Sequence, residues 1–166
     1  MRVIYLDANA YDKLVADLSI QRIMGIEQKE GKLQIISSYI TEEELARAPE
    51  PKRKRMLQLL ELTEDKPTAV AVFPLPLGRI RLGSREYSEI YENIKGLNPK
   101  NVKDAIVAAT AIYENADYLV TDDKRFSRRF NMVSRSRGKK TRAIDWNNFV
   151  SSSSTYREHG RKAQNA

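Results

Sequence analysis

The 166 residues contain no cysteine. That excludes disulfide scaffolds, thiolate zinc sites and cysteine nucleophiles, and it suits a reducing, cytoplasmic setting. Histidine is nearly missing too. The one copy, His159, stands in a polar C-terminal stretch, so a histidine base within the core is not expected. No run of 18 apolar residues exists, so the sequence offers no membrane span and no membrane partner is expected. The opening MRVIYLD has an apolar run of four residues and reads as a strand, not a secretory signal. Acid is in short supply relative to base: 22 Asp and Glu against 29 Lys and Arg, a net charge of +7. A balance of that sign favours nucleic acid or another polyanion as partner.

What is present reads as one folded domain. Hydrophobic residues make up 41% and charged residues 31%, the balance of a globular chain long enough for a proper core. Apolar β-rich runs at Val3–Leu6, Leu33–Ile36, Ala69–Phe73 and Tyr118–Val120 predict strands, with short further ones at Met132-Val133 and Arg142–Ile144. Helical spacing predicts helices over Tyr11–Gln28, Lys52–Leu62, Ser84–Lys95 and Val102–Glu114, the last capped by Asn101. A further helix follows Ser37-Ser38, with Thr41 as its cap and Glu44 as capping-box partner. Pro74–Gly83 reads as a loop leading to an edge strand, and Trp146–Val150 as a small closing element. Strands alternating with helices indicate an α/β domain around a mostly parallel sheet. The domain is expected over residues 1–150, with 151–166 a flexible polar tail.

Ligands of open α/β sheets sit beyond the carboxyl ends of the strands. Asp7 ends the first strand, and Asp122 and Asp123 end "YLV". Glu44 and Asp104 lie in the first turns of their helices. Converging carboxylates repel unless a cation sits among them, and Mg²⁺ or Mn²⁺ suits an all-oxygen site. Such an ion activates water and clamps a phosphate. Each acid also has a plainer use: Asp7 as a strand-end residue, Glu44 as partner of Thr41, Asp104 as partner of Asn101, and one of Asp122 and Asp123 as cap of a short helix over Lys124–Phe130.

Four segments in order, "VIYLDANAY" (3–11), "TEEEL" (41–45), "VKDAIVAATA" (102–111) and "YLVTDDKRF" (118–126), resemble the four acidic motifs of the PIN-domain nucleases. The resemblance spans residues 1 to about 145. It implies a three-layer α/β/α fold and metal-dependent endoribonuclease activity on single-stranded RNA. Carried over by motif, the catalytic acids are Asp7, Glu44, Asp104 and Asp123, with Asp7, Asp104 and Asp123 on the metal. Asn9, Thr121 and Asp122 take supporting places. Three consecutive glutamates, Glu42, Glu43 and Glu44, leave open which one faces the site. Many small bacterial members are VapC-type toxins held inactive by a cognate antitoxin. An antitoxin protein and a second copy of the chain are therefore candidate partners beside RNA. The segment 63–83 is longer than in compact toxins of this type, and the C-terminal basic stretch is extra.

From Lys124 to Arg142 the chain carries nine basic residues and no acid. It is either a solvated face or a phosphate track to the acids, with Arg125, Arg128 and Arg129 as the RNA contacts. Phe126, Phe130 and Trp146 read as core before base-stacking platforms, and Tyr87 and Tyr91 as core. Two other classes, one enzymatic and one not, fit less well. A haloacid-dehalogenase-like phosphatase needs a second aspartate two residues after the first, where this chain has Asn9. A receiver-like module needs an acidic pair that no suitable strand supplies. A PIN-like domain that binds RNA without cleaving it keeps all the acids.

Overall fold

The computed structural model describes residues 1–68 and 84–152. In chain order the elements are β1 (Arg2–Leu6), α1 (Ala8–Ala16), α2 (Leu18–Lys29), β2 (Leu33–Ser37), α3 (Tyr39–Leu45), α4 (Lys52–Leu60) and β3 (Glu64–Asp65). They continue with α5 (Arg85–Leu97), α6 (Val102–Tyr113), β4 (Tyr118–Val120), α7 (Lys124–Ser136), β5 (Arg142–Ile144) and α8 (Trp146–Ser152). The five strands lie in the order β3-β2-β1-β4-β5, and all four pairings are parallel. The α/β fold with a mostly parallel sheet follows the reading of the sequence.

Alternation along the strands sorts side chains into two cores. Ile4 and Leu6 of β1, Leu33 and Ile35 of β2, and Val120 of β4 face α1, α2, α4 and α8, where Tyr11, Leu14, Met24, Met56, Trp146 and Phe149 pack. Tyr5, Ile36, Leu119 and Ala143 face the other way, onto α5, α6 and α7. The sheet is thus the middle of three layers. Helix α6 is buried from Ala105 to Ile112, and its alanines let it lie close against its neighbours. Phe126, Phe130, Trp146, Tyr87 and Tyr91 are all buried, as core residues should be.

Five local expectations are revised. The helix expected over Tyr11–Gln28 is two helices starting at Ala8, because Asp17 breaks the run and accepts the Ile20 N–H at 3.0 Å. Gly31, at φ 67°, then makes the turn into β2. Thr41 caps nothing. Helix α3 starts at Tyr39, three residues earlier than a Thr41 cap requires, so Glu44 lies in its last turn and is no capping-box partner. Thr41 is buried with its hydroxyl 2.8 Å from that of Tyr5. Met132 and Val133 belong to α7, where Phe126, Phe130 and Val133 form a stripe of helical period. Helix α7 itself runs on to Ser136. The third strand is Glu64–Asp65, an exposed edge pair with no apolar residue to betray it. The strand expected at Ala69–Phe73 and the loop and edge strand at 74–83 lie outside the described residues, as does residue 153 onward of the expected tail.

Candidate active site

Strand β1 lies at the centre of the sheet, and the chain leaves it towards β2 and β3 on one side and meets β4 and β5 on the other. The crevice beyond the carboxyl ends of β1 and β4 is therefore the topological switch point. Asp7 follows β1 directly. One carboxylate oxygen accepts the Ala8 N–H at 2.9 Å, capping α1. The other accepts from the Asn9 amide at 2.9 Å and the Thr121 hydroxyl at 2.7 Å. Asn9 also donates to Thr121 Oγ1 at 3.0 Å and accepts from the Asp122 N–H at 3.2 Å. Asn9 and Thr121 thus tie the end of β4 to the end of β1 through Asp7. Asp123 caps α7, accepting the N–H groups of Arg125 and Phe126 at 2.8 Å each.

Three acids are held above the ordinary carboxylate range. Burial raises Asp7 most, with Asp123 adding repulsion against the hydrogen bonds from Thr121, Ala8 and Asn9. Glu44 is pushed up to about 7 by burial and then by Asp7 and Asp104, against the opposing charges of Lys103 and Arg47. Asp104 is pushed up to about 6 by burial and then by Asp7 and Asp123, against Arg129. Four carboxylates from four separate segments thus share one electrostatic field. Behind them Tyr5, from the centre of the sheet, holds Ser38 Oγ at 2.7 Å and Thr41 Oγ1 at 2.8 Å in a buried hydroxyl cluster.

The PIN domain family model matches residues 4–130. The chain belongs to the PIN-domain family. The family is in general one of nucleases. Among solved structures the PIN domain is similar to VapBC-1 from nontypeable Haemophilus influenzae at 16% identity and a TM-score of 0.53, covering 87% of this chain and 98% of that one. Further similar structures are VapBC2 from Rickettsia felis bound to a DNA fragment from their promoter, at 16% identity and TM-score 0.48, over 87% of this chain and 98% of that one. FitAcB from Neisseria gonorrhoeae follows at 18% identity and TM-score 0.43, over 85% of this chain and 96% of that one. At such identities the likeness concerns the fold. No curated protein matches the sequence.

Within this PIN domain, Glu44 is the glutamate of the three that feels Asp7 and Asp104. Glu42 is exposed and Glu43 faces Lys103 at 3.7 Å. Asp122 turns away from the acids. Its oxygens accept the Trp146 N–H at 3.0 Å and sit 3.3 Å from Lys13 Nζ, so its supporting part is to pin α8 and α1 to the end of β4. The basic segment after it is not one track. Arg129, expected as an RNA contact, points inward and donates to Asp104 Oδ2 at 3.3 Å. Arg137 bonds Glu89 at 3.1 Å and Lys139 bonds Glu86 at 2.7 Å, fastening α7 to α5. Only Lys124, Arg125 and Arg128 remain exposed next to Asp123. A cleft of about 710 Å³ opens there, lined by Lys13, Lys124, Arg128 and the Asn147-Asn148 pair among others.

Sequence reasoning missed Lys103, Lys13 and the inward course of Arg129. Lys103 carries a weak signal, being the neighbour of Asp104 in the same helical turn. No local pattern announces the other two, because their partners are more than 20 positions away. Among the described residues no three acids form a ready-made cage for a metal ion. The positive charge next to Asp104 is Arg129. The donor set nevertheless fits a divalent cation. It is all hard oxygen, and its members raise one another's protonation in a way a shared cation would relieve.

No helix among the described residues is long and apolar enough to cross a membrane.

Proposed function

We propose that this PIN domain is a cytoplasmic Mg²⁺- or Mn²⁺-dependent endoribonuclease acting on single-stranded RNA, and the toxin of a pair whose other member is an antitoxin protein. The observation that carries the reading is the electrostatic coupling of Asp7, Glu44, Asp104 and Asp123 at the switch point. Helix capping accounts for Asp7 and Asp123, but not for Glu44 and Asp104, which their acidic neighbours repel. Asp7, Asp104 and Asp123 would hold the cation, which when bound supplies activated water and countercharge for the phosphodiester. Asn9 and Thr121 orient Asp7 by the hydrogen bonds described above. Glu44 stands at the rim, with a carboxyl suited to exchanging a proton near neutrality. Lys124, Arg125 and Arg128 offer phosphate contacts at the mouth of the neighbouring cleft. The toxin assignment takes its support from the motif resemblance and from the fold likeness to VapBC-1.

The phosphatase reading finds no support. Asn9 occupies the place of the second aspartate, and its amide is committed to Asp7 and Thr121. A labelled single-stranded RNA incubated with Mn²⁺, with Mg²⁺ or with chelator tests the nuclease reading. Cleavage is expected with metal only, falling by orders of magnitude in Asp104→Asn and Asp123→Asn while RNA binding survives. RNA binding with no metal-dependent cleavage would instead establish a non-catalytic PIN domain. The toxin assignment is tested by inducing the chain in a bacterial host. Growth arrest by wild type and normal growth with Asp7→Ala are expected.

A further inference from the structure

The cleft of about 710 Å³ beside the acids is lined by three kinds of side chain. Helix α7 brings Lys124 and Arg128, which stand at i and i+4 and so share one helix face. The opening turn of α8 brings the amides of Asn147 and Asn148, and β5 brings the apolar Ile144. Two acids line the cleft as well, and both are spent. Asp122 accepts the Trp146 N–H at 3.0 Å and stands 3.3 Å from Lys13 Nζ. Asp145 accepts the Asn148 N–H at 2.8 Å and the Asn148 amide at 2.7 Å. Lys124, Arg128 and Asn147 are exposed, and among the described residues neither cation nor the Asn147 amide has a partner. The cleft also adjoins the acid site. Thr121 belongs to both, since it lines the cleft and its hydroxyl donates to Asp7 at 2.7 Å.

We propose that this cleft takes the nucleotide adjoining the scissile phosphodiester, with Lys124 and Arg128 on its phosphate and the Asn147 amide on the edge of its base. The proposal rests on the nuclease reading above. An RNA strand with one phosphate at the acids meets the cleft with its next nucleotide. The two cations bind any sequence alike, because a phosphate carries no base information. An amide differs from them, since it sets a donor beside an acceptor and so matches a base edge. Single-stranded RNA offers such edges freely, because its bases can be splayed out of the stack. Ile144 adds apolar contact, and the volume lies within the range of roughly 300–1,000 Å³ usual for small-ligand sites. Asn147 is then the residue that sets base preference next to the cut, and the cations of α7 set affinity.

The test uses the full chain, Asn147→Ala, Asn147→Asp, the Lys124→Gln/Arg128→Gln double variant and, as control, Arg137→Gln at the other end of α7. Labelled oligo(A), oligo(C) and oligo(U) hexamers are titrated at several salt concentrations with chelator present, so that binding is read without cleavage. A random-sequence RNA is then cut with Mn²⁺ and its products are sequenced. Wild type is expected to bind one hexamer about tenfold more tightly than another, the discrimination of one good base contact. It should favour the same base at one position next to the cut. Asn147→Ala should level the affinities to within about twofold and erase that preference, with the salt dependence unchanged. Asn147→Asp should move the preference towards cytosine, whose amino group a carboxylate accepts. The double variant should weaken all hexamers alike, keep their ranking and flatten the salt dependence by about 1.4 slope units. Arg137→Gln should match wild type. A ranking that survives in Asn147→Ala, or no ranking in wild type, overturns the proposal. A chain that binds no RNA sinks the nuclease reading and the cleft with it. A ranking that depends on Asn147 in a chain that never cleaves keeps the base site and sinks the nuclease reading alone.

Discussion

Asp104 shows how one side chain carries opposing demands. It is half-buried at the head of α6, repelled by Asp7 and Asp123 and attracted by Arg129. The repulsion and burial prevail, since its carboxyl is held up at about 6. At pH 7.5 its charge therefore works against the fold when no cation is present. Asp104→Asn is expected to raise the metal-free melting temperature at pH 7.5, by ~2–4 °C if about 1 kcal/mol is relieved in a chain of this size. At pH 4.5, where the carboxyl is already mostly neutral, little change is expected. The same substitution should abolish most of the melting shift that Mn²⁺ gives the wild type. Equal Mn²⁺ responses from both proteins would show that Asp104 holds no ion.

Helix α7 starts at the site and ends away from it, so its residues divide by position. Asp123 is both an acid of the site and the cap of this helix. Two substitutions separate those parts, because asparagine caps as well as aspartate and alanine does not. Asp123→Ala is expected to lose about 1 kcal/mol of stability and the activity. Asp123→Asn is expected to lose the activity and keep the stability. Urea melts beside the RNA cleavage assay decide it, and substantial cleavage by Asp123→Asn would reduce this acid to a cap. At the other end, Arg137 and Lys139 are tied to acids of α5. Replacing either by alanine should cost under about 1 kcal/mol, as for other exposed pairs, and leave RNA affinity unchanged. Arg125 and Arg128, replaced together by glutamine, should weaken binding and flatten its salt dependence by about 0.7 slope units per lost phosphate contact.

Over the whole molecule the acid cluster sets a pH dependence of known sign. Asp7, Glu44 and Asp104 all have folded-state carboxyls above their ordinary values. Between about pH 4 and pH 7 the native protein therefore keeps protons that the unfolded chain has released. Stability of the metal-free protein should fall as pH rises through that window. A divalent cation, binding only the assembled site, should flatten the fall. Melting curves at pH 4.5, 6 and 7.5, with chelator and with Mn²⁺, measure both. The informative quantity is the difference between wild type and the Glu44→Gln/Asp104→Asn double variant, since other carboxylates titrate in both. A metal-free difference that does not grow with pH would contradict the coupling.

The α/β class and the mostly parallel sheet were legible in the sequence because they depend on local periodicity. The three layers were expected only from the motif resemblance, and the strand order came from the structure. Apolar runs marked β1, β2 and β4, and the alanine-rich stretch and its Asn101 cap marked α6. The places of Asp7, Asp104 and Asp123 were legible as well, since each follows a strand or opens a helix, where a parallel sheet gathers its ligands. Glu44 lies near the end of α3 and not in its first turn. Edge strand Glu64–Asp65 was not, because an exposed strand needs no apolar residue. The partners of the charged groups were not either. Nothing in the chain near Arg129 shows that it turns inward to Asp104, 25 positions earlier. The motif register set Asp123 among the acids and Asp122 in a supporting place, but it does not reveal that Asp122 reaches the Trp146 N–H. Side chains adjacent in sequence diverge in direction, and only the packing of α6, α7 and α8 around β4 decides which way each one points. Local composition by itself determined the kinds of residue at the carboxyl edge of the sheet; the tertiary packing decided which charges face one another there.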